Sequence, residues 1–428
     1  MRVAFLSEHA SPVALLGGAD AGGQNVYVDE VSRGLAARGI GVDVFTRRDA
    51  AGAPEVVDWA PGVRVINLEA GPAVQLPKDD LWPLMPAFRD AFLRFMLRSG
   101  VRYDLLHGNF WMSGWVAIEL RRALGIPAVQ LFHATGLTKR RCQGAADTSP
   151  ADRIEIERRI VREVDRVIAQ CPSERDELVD GYGAPPPKVE LIPAGVNIER
   201  FRPMDRVEAR SRIEASLGID PDDLVVVYVG RMLPRKDIRN VLRAFALLID
   251  RWGSGRPPLK LLLVGGETAE PDPMATPEIG ELRRLAADLG VAEHVRFTGQ
   301  RQPDVLHGYY GAGDVVVTTP WYEPFGLTPL EAMACGRPVI GSAVGGIPFT
   351  VEEGVTGCLV PPRDPEALAG CLQDLLRNPA RRAWMGSAAR ARVERRFTWP
   401  ITVERTVMLY QTVVEQRRSS ETAVATSS

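Results

Sequence analysis

Cysteine is scarce: there are five in 428 residues, and no C-x-x-C pair. That argues against a disulfide framework or a thiolate metal site and suits a reducing, cytoplasmic compartment. Long apolar runs are missing as well. None approaches the ~20 residues that a membrane-spanning helix needs. The opening MRVAFLSEHASPV turns polar at once, so it reads as a first strand and not as a signal peptide. Net charge is nearly absent, with 52 basic against 54 acidic residues, which leaves no global field to hold a nucleic acid. A local basic pocket for a phosphorylated small molecule is still allowed. No G-x-G-x-x-G follows a strand, so the fingerprint of a nicotinamide site is missing too.

What is present is a repeated alternation. The first half reads strand RVAFLSE, helix GGQNVYVDEVSRGLAARG with Val26, Val28, Val31 and Leu35 facing inward, then strand GVDVFTRR. Later come YDLLHG, SGWVAIELRRALG and PAVQLFHA in the same order. The second half repeats the plan. LVVVYVGR, LKLLLVGG, VRFTG, DVVVTTP and PVIGSA are strands, separated by helices such as DIRNVLRAFALLIDRW, and Asp364 is a candidate N-cap of DPEALAGCLQDLLRN. Short runs of Val, Ile and Leu suit parallel strands buried on both faces. The expected fold is therefore α/β: two doubly wound, Rossmann-like domains, residues 1–197 and 198–398, facing a central cleft. The break falls in LIPAGVNIERFRPMDR, where periodicity lapses and Pro and Gly collect. The polar, small-residue tail 419–428 reads as disordered.

Chemistry-bearing residues cluster at predicted strand ends, where ligands bind in such sheets. Gly22 and Gly23 sit between the first strand and helix and would let a backbone approach an anion. Arg231 and Lys236, in VGRMLPRKD, could grip a phosphate or simply form a solvated loop. In WYEPFGLTPLEAMACG, Pro324 and Gly326 make an irregular turn that exposes the N–H groups of Phe325, Gly326, Leu327 and Thr328 at a helix start. Glu323 precedes the turn, and Glu331 lies about one turn into the helix. Each could accept hydroxyl hydrogen bonds, or be an acid favoured by the helix dipole. His133 follows the strand AVQLF. Phe110 and Trp111 follow another strand end and are core or cleft wall.

Together these segments resemble the E-x7-E region and its companions in GT-B glycosyltransferases of family 4. EPFGLTPLEAMACGRPVIGSAVGG, GRMLPRKD, GVTGCLVPPRDPEALA and PAGVNIERFRP stand in that family's order. AGGQNVYV, FWMSGW and HATGLTKRR are similar to sucrose-phosphate synthases and inositol-phosphate glycosyltransferases, with departures at Gln24 and Phe110. The resemblance implies a retaining hexosyltransferase with Arg231 and Lys236 on the donor diphosphate, Glu331 on the nucleotide ribose, and Glu323 with the backbone of residues 325–328 on the transferred hexose. His133 would lie by the reacting centre and Gly23 by the diphosphate. Acceptor candidates are Asn25, Lys78, Phe110, Lys139 and Arg153, with Arg140 and Arg141 beside them. The resemblance also implies a last helix, about 399–418, returning to the first domain. No metal or other cofactor is required if the two cations neutralise the leaving group. The donor expected is a UDP-hexose, and the acceptor a small molecule or glycan carrying a phosphate. A GDP-mannose-dependent transferase, a UDP-sugar 2-epimerase and a non-catalytic sugar-nucleotide sensor are the competing readings, and a homodimer is compatible with all of them.

Overall fold

The computed structural model describes residues 1–13, 22–213 and 217–426, with side chains to residue 419. Ala21, the first residue of AGGQNVY, lies outside the described residues. The chain divides into two compact units. One comprises residues 1–13, 22–194 and 399–426; the other comprises 195–213 and 217–398.

The first unit is built on an eight-stranded sheet: β1 (Arg2–Leu6), β2 (Gly41–Arg47), β3 (Val56–Ala60), β4 (Val63–Leu68), β5 (Leu105–Asn109), β6 (Ala128–Leu131), β7 (Arg166–Ala169) and β8 (Val189–Leu191). Their order is β3-β4-β2-β1-β5-β6-β7-β8. Every pairing is parallel except β3 with β4. The second unit carries β9 (Leu224–Val229), β10 (Leu259–Val264), β11 (Val295–Gly299), β12 (Val315–Thr318), β13 (Val339–Ser342) and β14 (Gly357–Val360), all parallel, in the order β11-β10-β9-β12-β13-β14. The apolar runs explain the placement. β9 and β12 are buried along their whole length, as strands covered by helices on both faces must be. Each sheet reverses winding direction at one place, between β1 and β5 and between β9 and β12. Side chains at those carboxyl ends line a switch point.

Two expectations change. The helix Gly23–Ala36 buries Asn25, Tyr27, Val28, Val31, Ser32 and Leu35, while Val26 is only half-buried. The reason is a second covering element. The helix Trp399–Thr426 belongs to the first unit and packs on this one so closely that a Cβ on Gly34 would lie 2.5 Å from Val403. Tyr27 turns toward it and sits edge-on to Trp399 at 6.1 Å. That long helix also runs through Thr426, into the stretch whose composition reads as a disordered tail. A helix already nucleated extends at little cost per residue. Residues 427 and 428 lie outside the described residues.

The chain leaves the first unit after Ala194, a few residues before the expected bound at 197. Ile192 still bonds Ala169 (2.9 Å) and Pro193 accepts from Thr402 (2.9 Å), whereas Val196 bonds Phe397 (2.8 Å) in the second unit. Among the described residues no helix is long and apolar enough to cross a membrane.

Candidate active site

In the second unit the chain past β9 forms a short 3-10 turn, Pro234–Lys236, and then Asp237 in a left-handed conformation (φ 52°). The Tyr228 hydroxyl donates to the carbonyl of Arg231 (3.0 Å) and fixes the start of this loop. The chain past β12 runs alongside it. Trp321 N–H donates to the Arg235 carbonyl (2.9 Å), and the Arg235 guanidinium donates to the Tyr322 carbonyl (3.4 Å). Next along the two loops, Lys236 and Glu323 form an ion pair, each side chain 15% exposed. The sequence places these two residues on different parts of one ligand; the structure makes them partners. Burial pushes the Glu323 carboxyl up, but Lys236, Arg235 and Arg231 outweigh it and hold it below its ordinary range. Burial also depresses the Lys236 ammonium, against the pull of Glu323.

The turn that follows is shaped by glycine. Gly326 has φ 91° and caps the helix Leu327–Ala334. Opposite it, a Cβ on Gly345 would stand 1.8 Å from the Glu323 carbonyl oxygen, and one on Gly346 would stand 2.6 Å from the Phe325 Cα. Gly346 N–H instead donates to that Glu323 carbonyl (3.1 Å). These two glycines hold the turn so that the N–H groups of Gly326, Leu327 and Thr328 end the helix without intrahelical partners. Pro329 has no N–H to satisfy. Phe325, within the turn, is buried. One turn in, Glu331 accepts from the hydroxyl of buried Tyr310 (2.6 Å). Burial raises the Glu331 carboxyl, and Tyr310 and Arg200 only partly offset it. The result is one paired carboxylate, one carboxyl oriented by a phenol, cationic loop residues and open helix N–H groups within a single stretch. Such a set can hold an anionic leaving group and sugar hydroxyls.

In the first unit the carboxyl ends of β1, β5 and β6 meet. Among the described residues four non-glycines have positive φ, and Phe110 (76°) and His133 (58°) stand at two of these ends. Such backbone is strained and concentrates at functional sites. His133 Nε2 lies 3.0 Å from Asn109 Oδ1. The Asn109 amide nitrogen faces the carbonyls of Leu6 and His107 (both 3.4 Å), so its oxygen faces the histidine. This network assigns the proton to Nε2 and a lone pair to Nδ1. Burial, with His107 and His9 nearby, holds the ring well below its usual pKa, hence neutral. At the end of β1, the buried Glu8 carboxylate takes the Ser113 hydroxyl and His9 Nδ1 (2.8 Å), and the His9 ring sits edge-on to Phe110 at 5.1 Å. Lys78 Nζ lies 5.4 Å and the Arg153 guanidinium 5.0 Å from the Phe110 ring.

The structure therefore brings His133, Phe110, Lys78 and Arg153 into one region, but it engages several of the expected acceptor ligands elsewhere. Arg153 is 1% exposed. Its fork donates to Glu157 (2.8 Å), the Ala134 carbonyl (2.7 Å) and Ser149 (3.1 Å). Lys139 is neutralised by Asp147 (3.1 Å) and Asp79 (3.8 Å). The Asn25 carbonyl oxygen caps the Gly22 N–H (3.0 Å) while its amide donates to Ser11 (3.0 Å), an N3 side chain reaching back over the helix start at Gly23. Among the described residues no three His, Cys, Asp or Glu side chains gather as a metal site.

Two family models match the chain, Glycosyltransferase Family 4 over residues 21–200 and Glycosyl transferases group 1 over residues 209–392. The chain is 38% identical to a D-inositol 3-phosphate glycosyltransferase of Acidothermus cellulolyticus, covering 98% of this chain and 92% of that protein. It belongs to the family 4 glycosyltransferases. A relative of the same description from Rhodococcus erythropolis is 40% identical over 94% of this glycosyltransferase and 89% of its own length. Among solved structures, a sucrose-phosphate synthase from Thermosynechococcus elongatus is 36% identical, with a TM-score of 0.87 over 97% of this chain and 99% of that one. An Anabaena structure in complex with UDP and glucose shares the GT-B fold at 21% identity and a TM-score of 0.74, covering 96% and 100%.

Some residues of this glycosyltransferase escape sequence reading. Gly345 and Gly346 act through backbone proximity, which only the fold reveals. Tyr310 reaches Glu331 from a separate helix, Leu306–Ala312. Glu8 and His9 stood in plain view in SEHASP, at the end of a predicted strand; an acid beside a histidine there was the available signal.

Proposed function

We propose that this glycosyltransferase moves a hexosyl group from a nucleotide sugar, a UDP-hexose, to a phosphorylated polyol or sugar, with retention at the anomeric carbon. The observation that carries the reading is the Lys236–Glu323 pair set just before the open N-terminus of the helix Leu327–Ala334. It offers a cation for a diphosphate, a carboxylate for hexose hydroxyls, and helix N–H groups for whichever oxygens bear developing charge. Glu331, oriented by Tyr310, suits a ribose diol. Neutral His133, with its lone pair on Nδ1, suits a donor-sugar hydroxyl that must give a hydrogen bond. In the reaction the bond from the anomeric carbon to the diphosphate oxygen breaks and the acceptor oxygen bonds to that carbon on the same face. The acceptor hydroxyl proton passes to the departing phosphate oxygen. Arg231 and Lys236 supply the positive charge, so no metal is called for, and five free cysteines suit a reducing cytoplasm.

The phosphorylated acceptor is supported by the 38–40% identical relatives, which are D-inositol 3-phosphate glycosyltransferases, and by Lys78 beside Phe110. A neutral acceptor is the second reading, favoured by the engagement of Arg153 and Lys139 in ion pairs. A thermal-shift screen against UDP-, GDP- and ADP-glucose tests the donor. A ligand at 100 times its Kd stabilises by ~2.7 kcal/mol, which is readily seen. Transfer from the best donor to inositol 3-phosphate and hexose 6-phosphates, against their dephosphorylated forms, then tests the acceptor, and NMR of the new glycosidic bond tests retention. Stabilisation by none of the three donors would overturn the reading. Equal rates on both acceptor sets would favour the neutral one.

A further inference from the structure

Of the residues that join the two loops carrying Arg231, Lys236 and Glu323, the donor reading leaves Trp321 without a role. Trp321 bonds the Arg235 carbonyl through its backbone (2.9 Å) and is half-buried between two further groups. On one side the Arg363 guanidinium lies 4.1 Å from the centre of its ring. Burial raises the Asp237 carboxyl and the Trp321 indole partly offsets this, while indole Nε1 and carboxylate Oδ2 are both buried without a hydrogen-bond partner. Asp237 and Arg363 are the remaining two non-glycine residues with positive φ among the described residues, at 52° and 61°. Strained backbone persists where surrounding contacts over-determine it, and here Arg363 stacks on the indole while Asp237 follows the lysine of the facing loop. Asp237 directly follows Lys236. Trp321 lies two residues before Glu323. Arg363 sits on the loop after β14. The arrangement thus ties three loops at the carboxyl edge of one sheet.

We infer that Trp321, bonded to the Arg235 carbonyl and stacked under Arg363, is a positioning residue that holds Lys236 and Glu323 in register for the nucleotide sugar. It acts through those two residues and does not itself touch the donor. An indole ring is rigid and large, so it can transmit the place of one loop to the next. Arg363 is exposed, so the cation stacked on the ring contributes what such a contact does at a surface site. The inference rests on the donor reading above and adds a residue set to it.

The test measures the Kd for the best stabiliser among UDP-, GDP- and ADP-glucose, the acceptor KM and the melting temperature in the full-length protein. Trp321→Ala and Arg363→Ala should each weaken donor binding about three- to fivefold, the upper part of the range for one cation–π contact at an exposed site, with acceptor KM and melting temperature nearly unchanged. Trp321→Phe keeps a ring under Arg363 and should stay within about twofold of wild type. Because the residues act as a unit, the Trp321→Ala, Arg363→Ala double variant should bind no worse than the weaker single one. Wild-type donor affinity in Arg363→Ala, or losses that multiply in the double variant, would overturn the inference. If Trp321→Ala fails to fold, Trp321→Phe and Arg363→Ala carry the same comparison. Lys236→Ala serves as the control for the parent reading. If it too binds donor normally, the donor site itself is misplaced; if it fails while Arg363→Ala does not, only the clasp is wrong.

Discussion

The two units use charge differently at their strand ends. In the second, Lys236 and Glu323 are far apart in sequence, sit on two loops, and keep 15% exposure each. In the first, Arg153 and Glu157 are one turn apart on a single helix and are 1% and 0% exposed. Lys139 and Asp147 are likewise near neighbours in sequence. A pair that bridges two loops and touches solvent can be parted by a ligand that replaces each partner: a phosphate for the lysine, hydroxyls for the carboxylate. A pair sealed inside one helix and its neighbours is scaffold, because taking either charge away leaves the other buried and alone. A basic residue in a sequence is therefore not yet a ligand. What it is paired with, and across which elements, decides.

Arg153→Ala should destabilise the first unit by about 3–5 kcal/mol, the cost of stranding Glu157, and melting should show it. Adding Glu157→Gln should recover part of that loss, since the amide still accepts from the Gly136 N–H. An Arg153→Ala variant as stable as wild type, with acceptor binding alone lost, would make this residue a ligand after all. In the second unit, Lys236→Ala should cut transfer by about 10²–10³-fold, the usual effect of removing one group aimed at developing charge. Its melting point should fall less than that of Arg153→Ala, because Glu323 is partly solvated and has Arg235 and Arg231 nearby.

A third prediction concerns pH. Burial pushes Glu174, in the first unit past β7, up to about 7 from an ordinary 4.5, with Glu177 adding and the Gln170 N–H opposing. Between those values the native state holds a proton that the unfolded chain has lost, so stability falls as pH rises through that window and levels off above it. Glu174→Gln removes the slope. Relative to wild type, it should gain on the order of 2–3 kcal/mol at pH 8 compared with pH 5. Equal differences at both pH values would show that the carboxyl is not held protonated. The smallest effect is expected at Lys78. Lys78→Ala should raise the KM of a phosphorylated acceptor about tenfold, as loss of one charge-assisted contact would, and should leave the donor KM alone. Added salt should weaken acceptor binding less in the variant than in wild type.

Much of this molecule was legible in its sequence, for identifiable reasons. The strands β9, β10 and β12 announce themselves as short apolar runs because parallel strands are covered on both faces. Asp364 was readable as an N-cap and does accept from Ala367 (2.9 Å). The stretch from Glu323 to Glu331 was readable because turn, helix start and both acids are contiguous. The first-unit site was not, because its parts come from the ends of β1, β5 and β6 and from a helix beyond them. Whether Arg153 meets water or Glu157 is decided by burial that no local pattern encodes. The inward face of the helix Gly23–Ala36 was misjudged at Val26 for the same reason: the helix Trp399–Thr426 that covers its other side arrives from the far end of the chain.

The central claim is that the Lys236–Glu323 pair stands in for the donor and divides when the donor binds. Calorimetric titration of UDP into wild type, Glu323→Ala and Glu331→Ala tests it directly. Removing Glu323 frees Lys236, so Glu323→Ala should bind free UDP at least as tightly as wild type while transfer collapses, and Glu331→Ala should bind it about tenfold more weakly through loss of the ribose contact. A Glu323→Ala variant that loses UDP as badly as Glu331→Ala would contradict the account.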